Sequence, residues 1–314
     1  MTPDFSPISP YHAKEYKALL CMNGSRASDY SFGNIWGWAE HYGLEWRLLD
    51  GLCWIRQSRP RACLWAPVGD WKSRDWAASR YLDEGGEFIR VPEEMLRLWQ
   101  EAFPGRVLAE ESRGQWDYLY KTQDLAQLPG NRFHKKKNLV NQFTKLYEFS
   151  YLSMTADCVE SVLKMQQEWV RWREIEDSSV LMAENTVVSR LLSLWNDIPG
   201  LVGGAIHVGG KVVAYTVGER ICRDTMAIHF EKGMPGYKGI YQAINKFFAG
   251  DVAEDMSITY INREQDLDDP GLRQAKESYN PSEYVKKSMV KILPAKKLRT
   301  ARAGGKLPEK GIGC

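Results

Sequence analysis

Residues 201–219 have the sequence LVGGAIHVGGKVVAYTVGE, in which two runs rich in β-branched residues flank Gly209-Gly210. Two consecutive glycines tolerate the positive φ angles of a tight turn, so the stretch predicts a β-hairpin. A third strand is predicted at 225–232, and the apolar residues of 239–251 (GIYQAINKFFAGD) then change to helical spacing. The stretch therefore indicates a hairpin sheet with crossing helices, rather than a regular alternation of strands and helices.

The elements around this hairpin follow the same order in both halves of the chain. In the second half, the other predicted elements are helices at 157–171, 184–195 and 270–279 and strands at 257–262 and 284–293. In the first half, they are a hairpin at 44–57 with its turn at Asp50-Gly51, helices at 73–82 and 92–103, and strands at 62–68, 87–91, 106–110 and 116–121. Both halves give β-β-β-α-β-α-β, so we predict an α+β protein with similar domains at 1–150 and 151–294.

The composition is that of a packed globular protein, with 44% hydrophobic and 26% charged residues among 314. No apolar run has the length of a membrane span, and the N-terminus has neither the basic nor the apolar region of a signal peptide. We therefore expect a cytoplasmic protein without a transmembrane segment. The six cysteines and five histidines are scattered, so no metal site is predicted.

Residues 295–314 carry six Lys or Arg and one Glu, with little apolar content. They are predicted to form a flexible basic tail. Two roles are open for it, contact with an anionic partner and a simple contribution to solubility.

The stretch YINREQDLDDPGLRQAKESYNP, at 260–281, is the first candidate site. Part of its charge has a structural explanation, because Asp269 before Pro270 is a typical helix N-cap. This does not explain the polar residues that directly follow the buried strand or the lysine that borders the buried helix face, namely Asn262, Arg263, Glu264 and Lys276. Charges at the end of a buried strand often face a cleft, so a functional site and a charged surface are both open.

Two further segments have residues of the kind that bind anions. On a helix, Lys136 shares a face with Phe143, so its ammonium needs an internal carboxylate or a bound phosphate or carboxylate, unless it extends to solvent. Gly236, Lys238 and Gly239 lie between a strand and a helix N-terminus, where backbone amides commonly hold phosphates. An ordinary glycine turn explains that segment equally well. Fingerprints of hydrolases, metalloproteases and nucleotide-hydrolysing enzymes are absent.

Four segments, in their order, carry a resemblance to a bacterial protein family: SFGNIWGW at 31–38, HKKKN at 134–138, FEKGMPGYKGIYQAIN at 230–245, and the stretch at 260–281. The chain resembles proteins similar to the C-terminal catalytic domain of phosphatidylglycerol lysyltransferases and, more distantly, to Fem-type aminoacyl-tRNA-dependent peptidyltransferases. The resemblance covers almost the whole chain before the basic tail. It implies a tandem GNAT-like fold, with the site in the second domain.

The resemblance implies acyl transfer to an amine or hydroxyl, with Lys276 in the aminoacyl-ester site and Glu231 at the strand-to-helix substrate junction. On that basis we predict catalytic roles for Glu231, Glu264 and Lys276. The predicted substrate-binding residues are Lys136, Asn262, Arg263, Asp266, Arg273 and Tyr279. The residues predicted to hold the donor are Gly236, Lys238 and Gly239.

The donor and the acceptor remain open. The acetyl-CoA signature of GNAT enzymes is not met around Gly236, so no cofactor is firmly implied, and aminoacyl-tRNA and acyl-CoA are both candidate donors. The sequence lacks the membrane-spanning part of lipid lysyltransferases, so it does not imply a lipid acceptor. It predicts no oligomeric state. The alternatives are a non-catalytic protein that binds an anionic ligand or partner, and an RNA-binding protein, which the net charge of +2 makes less favourable.

Overall fold

The computed structural model describes residues 4–173, 179–255 and 258–295. Its strands are β1 Ser6–Pro7, β2 Leu44–Leu49, β3 Leu52–Gln57, β4 Cys63–Trp65, β5 Val68–Gly69, β6 Gly86–Pro92, β7 Val107–Glu111, β8 Asp117–Lys121, β9 Phe149–Ser153, β10 Leu201–Val208, β11 Lys211–Arg220, β12 Thr225–Gly233, β13 Tyr260–Asn262, β14 Glu283–Val285 and β15 Lys287–Ile292. Its helices are α1 Ala13–Asn23, α2 Phe32–Gly37, α3 Ala39–Tyr42, α4 Glu93–Ala102, α5 Thr122–Gln127, α6 His134–Leu146, α7 Val159–Arg173, α8 Ser179–Ser193, α9 Ile240–Asp255 and α10 Pro270–Glu277.

The strands form two sheets. The first has the order β1-β2-β3-β4-β6-β15-β7, with β5 beside β3, and the second has the order β14-β8-β13-β12-β11-β10-β9. Within the described residues, β4 is parallel to β6 and β12 is parallel to β13, and all other neighbouring strands are antiparallel. Two mixed, mostly antiparallel sheets flanked by helices confirm the predicted α+β class.

The two sheets exchange strands. β8 comes from the first half of the chain but lies in the second sheet, and β15 comes from the end of the described chain but lies in the first. The single strand predicted at 284–293 is therefore wrong, because β14 and β15 belong to different sheets and meet at Lys286. The domain bounds 1–150 and 151–294 stay a prediction, and each sheet contains residues from both sides of position 150.

Both predicted hairpins are confirmed. β10 pairs with β11 and β2 pairs with β3, and the turn residues have positive φ, 56° and 75° at Gly209 and Gly210 and 52° and 72° at Asp50 and Gly51. Two consecutive positive φ angles match the right-handed twist of the flanking strands.

The helix predicted at 73–82 is wrong, because the structure has only a short 3₁₀ turn at Arg80–Leu82 in this segment. Asp70 accepts hydrogen bonds from the amide and hydroxyl groups of Ser73, and Asp75 accepts one from the amide of Ala78. Such local bonds between side chains and the backbone compete with a helix.

The first sheet packs on an aromatic core that includes Trp54, Trp76 and Trp99, with Trp76 in edge-to-face contact with each of the other two. The same core extends to the second sheet, where it includes Phe230 of β12. α9 packs against other side chains of the second sheet, and Phe248 is buried there with Ile228. β12 thus lies between α9 and the core shared with the first sheet.

Candidate functional site

An opening separates two parallel strands of the second sheet. β12 and β13 pair over only three residues each, Thr225–Ala227 with Tyr260–Asn262. β12 continues to Gly233, whereas β13 ends at Asn262, so the strands part beyond this point. Within the described chain, residues 228–233 of β12 have no strand partner on that side. We call the space between 228–233 and the loop at 263–266 the interstrand gap.

Two ion pairs cross the interstrand gap. Nδ1 of His229 lies 2.8 Å from Oε1 of Glu264, and Nη2 of Arg263 lies 2.9 Å from Oε1 of Glu231. His229 contacts the helix α2 side, whereas Glu231 contacts α9 through Asn245. The register between β11 and β12 shifts at His229, and such a bulge changes the direction in which side chains point.

The first pair belongs to a group that we call the Glu264 cluster, made of Asn34, Glu219, His229 and Glu264. Glu219 is buried and accepts hydrogen bonds from the first two amides of α2, those of Phe32 at 3.1 Å and of Gly33 at 2.7 Å. Burial raises the pKa of the Glu219 carboxyl group. The charge of Lys17 and the hydrogen bond with His229 outweigh burial and hold this pKa below its usual value. Glu219 is therefore a fixed buried anion.

His229 lies between two carboxylates, with Nε2 3.4 Å from Glu219 and Nδ1 bonded to Glu264. Burial lowers the pKa of His229, but hydrogen bonds with Glu219 and Glu264 outweigh it and raise the pKa to about 9. His229 is therefore an imidazolium at neutral pH, and both of its ring nitrogens donate.

Glu264 is the member of this cluster that reaches the surface. Its side chain is 20% exposed, whereas the side chains of His229 and Glu219 are fully buried. Asn34 Nδ2 and His229 both donate to Oε1 at 2.8 Å, so Oε2 takes part in neither bond. The backbone of Glu264 has a φ of 57°, an unusual conformation for a residue with a side chain, and such strain concentrates at functional sites. The arrangement fixes a partly exposed carboxylate at the interstrand gap.

On the α9 side, the second ion pair belongs to a group that we call the Arg263 pocket, made of Lys136, Glu231, Asn245, Arg263 and Tyr279. The carboxylate of Glu231 bridges Arg263 and Asn245, whose Nδ2 donates to it at 3.0 Å. The guanidinium carbon of Arg263 lies 4.7 Å from the centroid of the Tyr279 ring, and Nζ of Lys136 lies 4.2 Å from the same centroid. Two cations therefore share one aromatic ring.

Residues 23–291 match the protein family described as phosphatidylglycerol lysyltransferase, C-terminal. The chain belongs to this family. Comparison with curated proteins gives no significant match.

Solved structures of other proteins share the fold of this family member. A conserved protein of unknown function from Bacteroides thetaiotaomicron is 30% identical, with a TM-score of 0.85, over 93% of this chain and 100% of that chain. L-PGS from Bacillus licheniformis is 12% identical, with a TM-score of 0.61, over 92% of this chain and 93% of that chain. FemX is 9% identical, with a TM-score of 0.53, over 93% of this chain and 98% of that chain. The chain has the tandem GNAT-like fold that the sequence resemblance implied.

Lys276 of this family member uses its ammonium group within the protein. Nζ donates to the carbonyl oxygen of Arg263 at 2.6 Å and to that of Gln265, and the residue is only 9% exposed. Burial lowers the pKa of Lys276 to about 8. The structure thus places Lys276 behind the loop that carries Arg263 and Glu264, where it fixes the backbone of that loop.

Asp266 and Arg273, which were predicted to bind substrate, bind each other. Asp266 is buried and accepts two hydrogen bonds from Arg273, at 2.8 and 2.9 Å, and one from the hydroxyl of Tyr118 at 2.6 Å. Burial raises the pKa of Asp266, but these donors outweigh it and hold the pKa well below its usual range. Asn262 is also buried, and it donates to Asp117 and to the carbonyl oxygen of Arg26. These residues support the loop from within.

The glycine turn before α9 is bonded to Tyr147, the residue that follows α6. The hydroxyl of Tyr147 donates to the carbonyl oxygen of Gly236 at 3.0 Å and accepts from the amide of Lys238 at 3.1 Å. Gly239 has a φ of 83° and lies against the backbone of Leu139. The exposed Lys238 side chain and the two glycines lie outside the Glu264 cluster and the Arg263 pocket as defined above.

Three residues of the Glu264 cluster were not predicted from the sequence: His229, Glu219 and Asn34. Two signals were present. Glu219 and His229 are ionisable residues inside runs that otherwise consist largely of apolar residues on neighbouring strands, and such groups need buried partners. Asn34 lies in the segment SFGNIWGW, which supported the family resemblance but received no role.

Within residues 4–173, 179–255 and 258–295, no group of three or more His, Cys, Asp or Glu side chains is arranged to hold a metal ion. Over the same residues, no helix has the length and apolar character needed to cross a membrane.

Proposed function

We propose that the protein is an acyltransferase that moves an aminoacyl or acyl group from an activated donor to an amine or a hydroxyl group. The observation that carries this proposal is the carboxylate of Glu264, partly exposed at the interstrand gap and held by Asn34 and His229. Family membership supports a transferase, and the predicted donors are aminoacyl-tRNA and acyl thioesters such as acyl-CoA.

Glu264 is the general base in this proposal. The acceptor nitrogen or oxygen forms a bond to the carbonyl carbon of the donor while the bond to the ester oxygen or thioester sulfur breaks. Glu264 accepts the proton of the acceptor and returns a proton to the leaving group, so the net reaction consumes none. His229 and Asn34 hold the carboxylate in position without touching the reacting atoms.

The α9 side of the interstrand gap supplies positive charge. Arg263 is adjacent to Glu264 in the chain and supplies that charge, and the backbone amides of β12 that face the interstrand gap are suited to stabilise the negative charge that develops on the donor carbonyl. Lys276 acts as a positioning residue, because its hydrogen bonds to the carbonyl oxygens of Arg263 and Gln265 fix the backbone on both sides of Glu264. Glu231, already bonded to Arg263 and Asn245, orients Arg263.

A second candidate function is a non-catalytic protein that binds an anionic ligand. The two cations beside Tyr279 favour it, since Lys136 has no carboxylate partner among the ion pairs of the described residues. The binding protein and the acyltransferase differ in donor consumption. A ligand would stabilise a binding protein, but no acyl donor would be consumed.

The test incubates purified protein with a pool of labelled aminoacyl-tRNAs or with a panel of acyl-CoAs, and with a deproteinised metabolite extract as the acceptor source. Mass spectrometry then follows donor loss and acylated product. Product formation by the wild-type protein, lost in Glu264→Gln and retained in Glu168→Gln, is the expected result. Glu168 is an exposed residue of α7 and serves as the matched control. Ligand-dependent stabilisation without turnover of any donor supports the binding protein instead.

A further inference from the structure

The Arg263 pocket contains buried hydrogen-bonding atoms that no described protein atom satisfies. Nη1 of Arg263 and Oδ1 of Asn245 are both buried without a partner. The other ends of the same groups are bonded, because Nη2 of Arg263 and Nδ2 of Asn245 both donate to Glu231. The hydroxyl of Tyr279 also lies within hydrogen-bonding reach of the Arg263 guanidinium, so Oδ1 of Asn245 is the atom that mainly indicates a ligand.

Asn245 is the clearer case of the two residues, since it is 1% exposed and its Oδ1 has no donor among the residues that the structure describes. Most buried polar side-chain atoms in folded proteins have a hydrogen-bond partner, so each exception calls for an explanation. The unsatisfied acceptor Oδ1 of Asn245, in the same pocket as the guanidinium of Arg263, indicates a ligand that supplies an N–H donor and an acceptor for the cation.

The charge of the pocket indicates the kind of acceptor. Arg263 and Lys136 are cations, and Glu231 is the carboxylate bonded to Arg263, while Lys136 donates to the neutral hydroxyl of Ser278 at 2.7 Å. Burial and the charge of Arg263 lower the pKa of Lys136. The pocket thus has one positive charge in excess, which a singly charged anion neutralises.

We propose that Arg263 and Lys136 bind a carboxylate of the acyl acceptor, and that Oδ1 of Asn245 accepts an N–H group next to that carboxylate. A carboxylate carries one charge and matches the planar donors of a guanidinium. A phosphate monoester carries about two charges at neutral pH and exceeds the charge of the pocket. In an aminoacyl donor the carboxyl group next to the amino group is esterified, so a free carboxylate beside an N–H group points to the acceptor as its source.

The proposal rests on the proposed acyltransferase function and names its acceptor class. The acceptor has an amino-acid-like end, a carboxylate with an N–H group on the neighbouring carbon. That end is anchored on the α9 side, and the amine or hydroxyl that reacts lies further along the molecule, towards Glu264.

The test measures binding of the full chain to N-acetylglycine and to N-acetylglycinamide, which differ only in the carboxylate, by calorimetric titration. We expect N-acetylglycine to bind at least about tenfold more tightly than the amide, as for a hydrogen-bonded charged group. Lys136→Met and Arg263→Lys are expected to lose this preference. Lys135→Met, which changes an exposed lysine on the same helix, is expected to keep it.

Three results overturn the proposal: equal binding of the two probes, a carboxylate preference that survives in Lys136→Met, and tighter binding of inorganic phosphate than of N-acetylglycine through the same two cations. Lys136→Met tests the proposal even if Arg263→Lys fails to fold, because Lys136 is only half-buried on α6. Failure of the proposed function looks different. Carboxylate binding without any acyl transfer supports the pocket and rejects the transferase, whereas transfer that is unaffected in Lys136→Met rejects the pocket alone.

Discussion

Replacement of Gly239 by alanine tests whether the glycine turn before α9 has a structural role. A Cβ atom at Gly239 would lie 2.8 Å from the carbonyl carbon of Leu139 and closer still to its oxygen, and the φ of 83° disfavours any side chain. Gly236 is a matched control, because its φ is 89° but a Cβ atom there meets no atom within 4 Å. Both variants carry the same kind of backbone strain, and only Gly239→Ala also forces α6 and α9 apart.

The strain of a positive φ costs about 1–2 kcal/mol for a residue with a side chain, and overpacking adds roughly 1–3 kcal/mol. We therefore expect Gly236→Ala to lower the free energy of unfolding by about 1–2 kcal/mol and Gly239→Ala by about 2–5 kcal/mol. Each kcal/mol corresponds to about 2–4 °C in melting temperature. The melting temperature of Gly239→Ala should therefore be several degrees below that of Gly236→Ala.

Thermal and urea unfolding, followed by circular dichroism, measure both losses in parallel. Equal losses in the two variants would refute the reasoning, because they would mean that the backbone of Leu139 does not restrict position 239.

Two further predictions concern the dependence of stability on pH, measured as the urea midpoint. The folded-state pKa of Lys276, about 8, is below its ordinary value of 10.5, so the folded protein releases this proton first. The wild type should gain stability relative to Lys276→Met as the pH rises from 8 towards 10, and a constant difference would contradict this assignment. The folded-state pKa of His229, about 9, is above its ordinary value of 6.5, so its contribution is complete below pH 6.5 and is lost as the pH rises through 9. This loss, about 3 kcal/mol at most, should be absent in His229→Gln, and an identical decline in both proteins would argue against a charged His229.

The parts of the fold that the sequence predicted well depend on local interactions. Gly209-Gly210 and Asp50-Gly51 supply the positive φ angles of hairpin turns, and the spacing of apolar residues identified α9. The strand exchange between the sheets could not be predicted in this way. The pattern of residues 284–293 is continuous across Lys286, and the partners that separate β14 from β15 lie more than 150 residues earlier in the chain.

In the candidate site, too, the sequence indicated a local feature, the loop, but not the distant residues that contact it. The position of Arg263 and Glu264 after a buried strand is the feature from which the sequence predicted a site in this loop, because charges at the end of a buried strand often face a cleft. The partners of Glu264 could not be predicted, since His229 and Asn34 are 35 and 230 residues away in sequence. Lys276 was expected to border a buried helix face, and the structure shows that its ammonium group is bonded to backbone carbonyl oxygens, which carry no side-chain signal.

The most direct test of the account compares single-turnover transfer rates of the wild type, Glu264→Gln and Glu168→Gln with the donor found in the screen. Glutamine keeps an oxygen at the position where Asn34 and His229 donate, so the local structure is preserved while the basicity is removed. We predict that Glu264→Gln is slower by about 100-fold or more while Glu168→Gln is as active as the wild type, and that Glu264→Gln stays folded with a lower melting temperature because its ion pair with His229 is lost. A Glu264→Gln rate within about threefold of the wild type would contradict the assignment of Glu264 as the base.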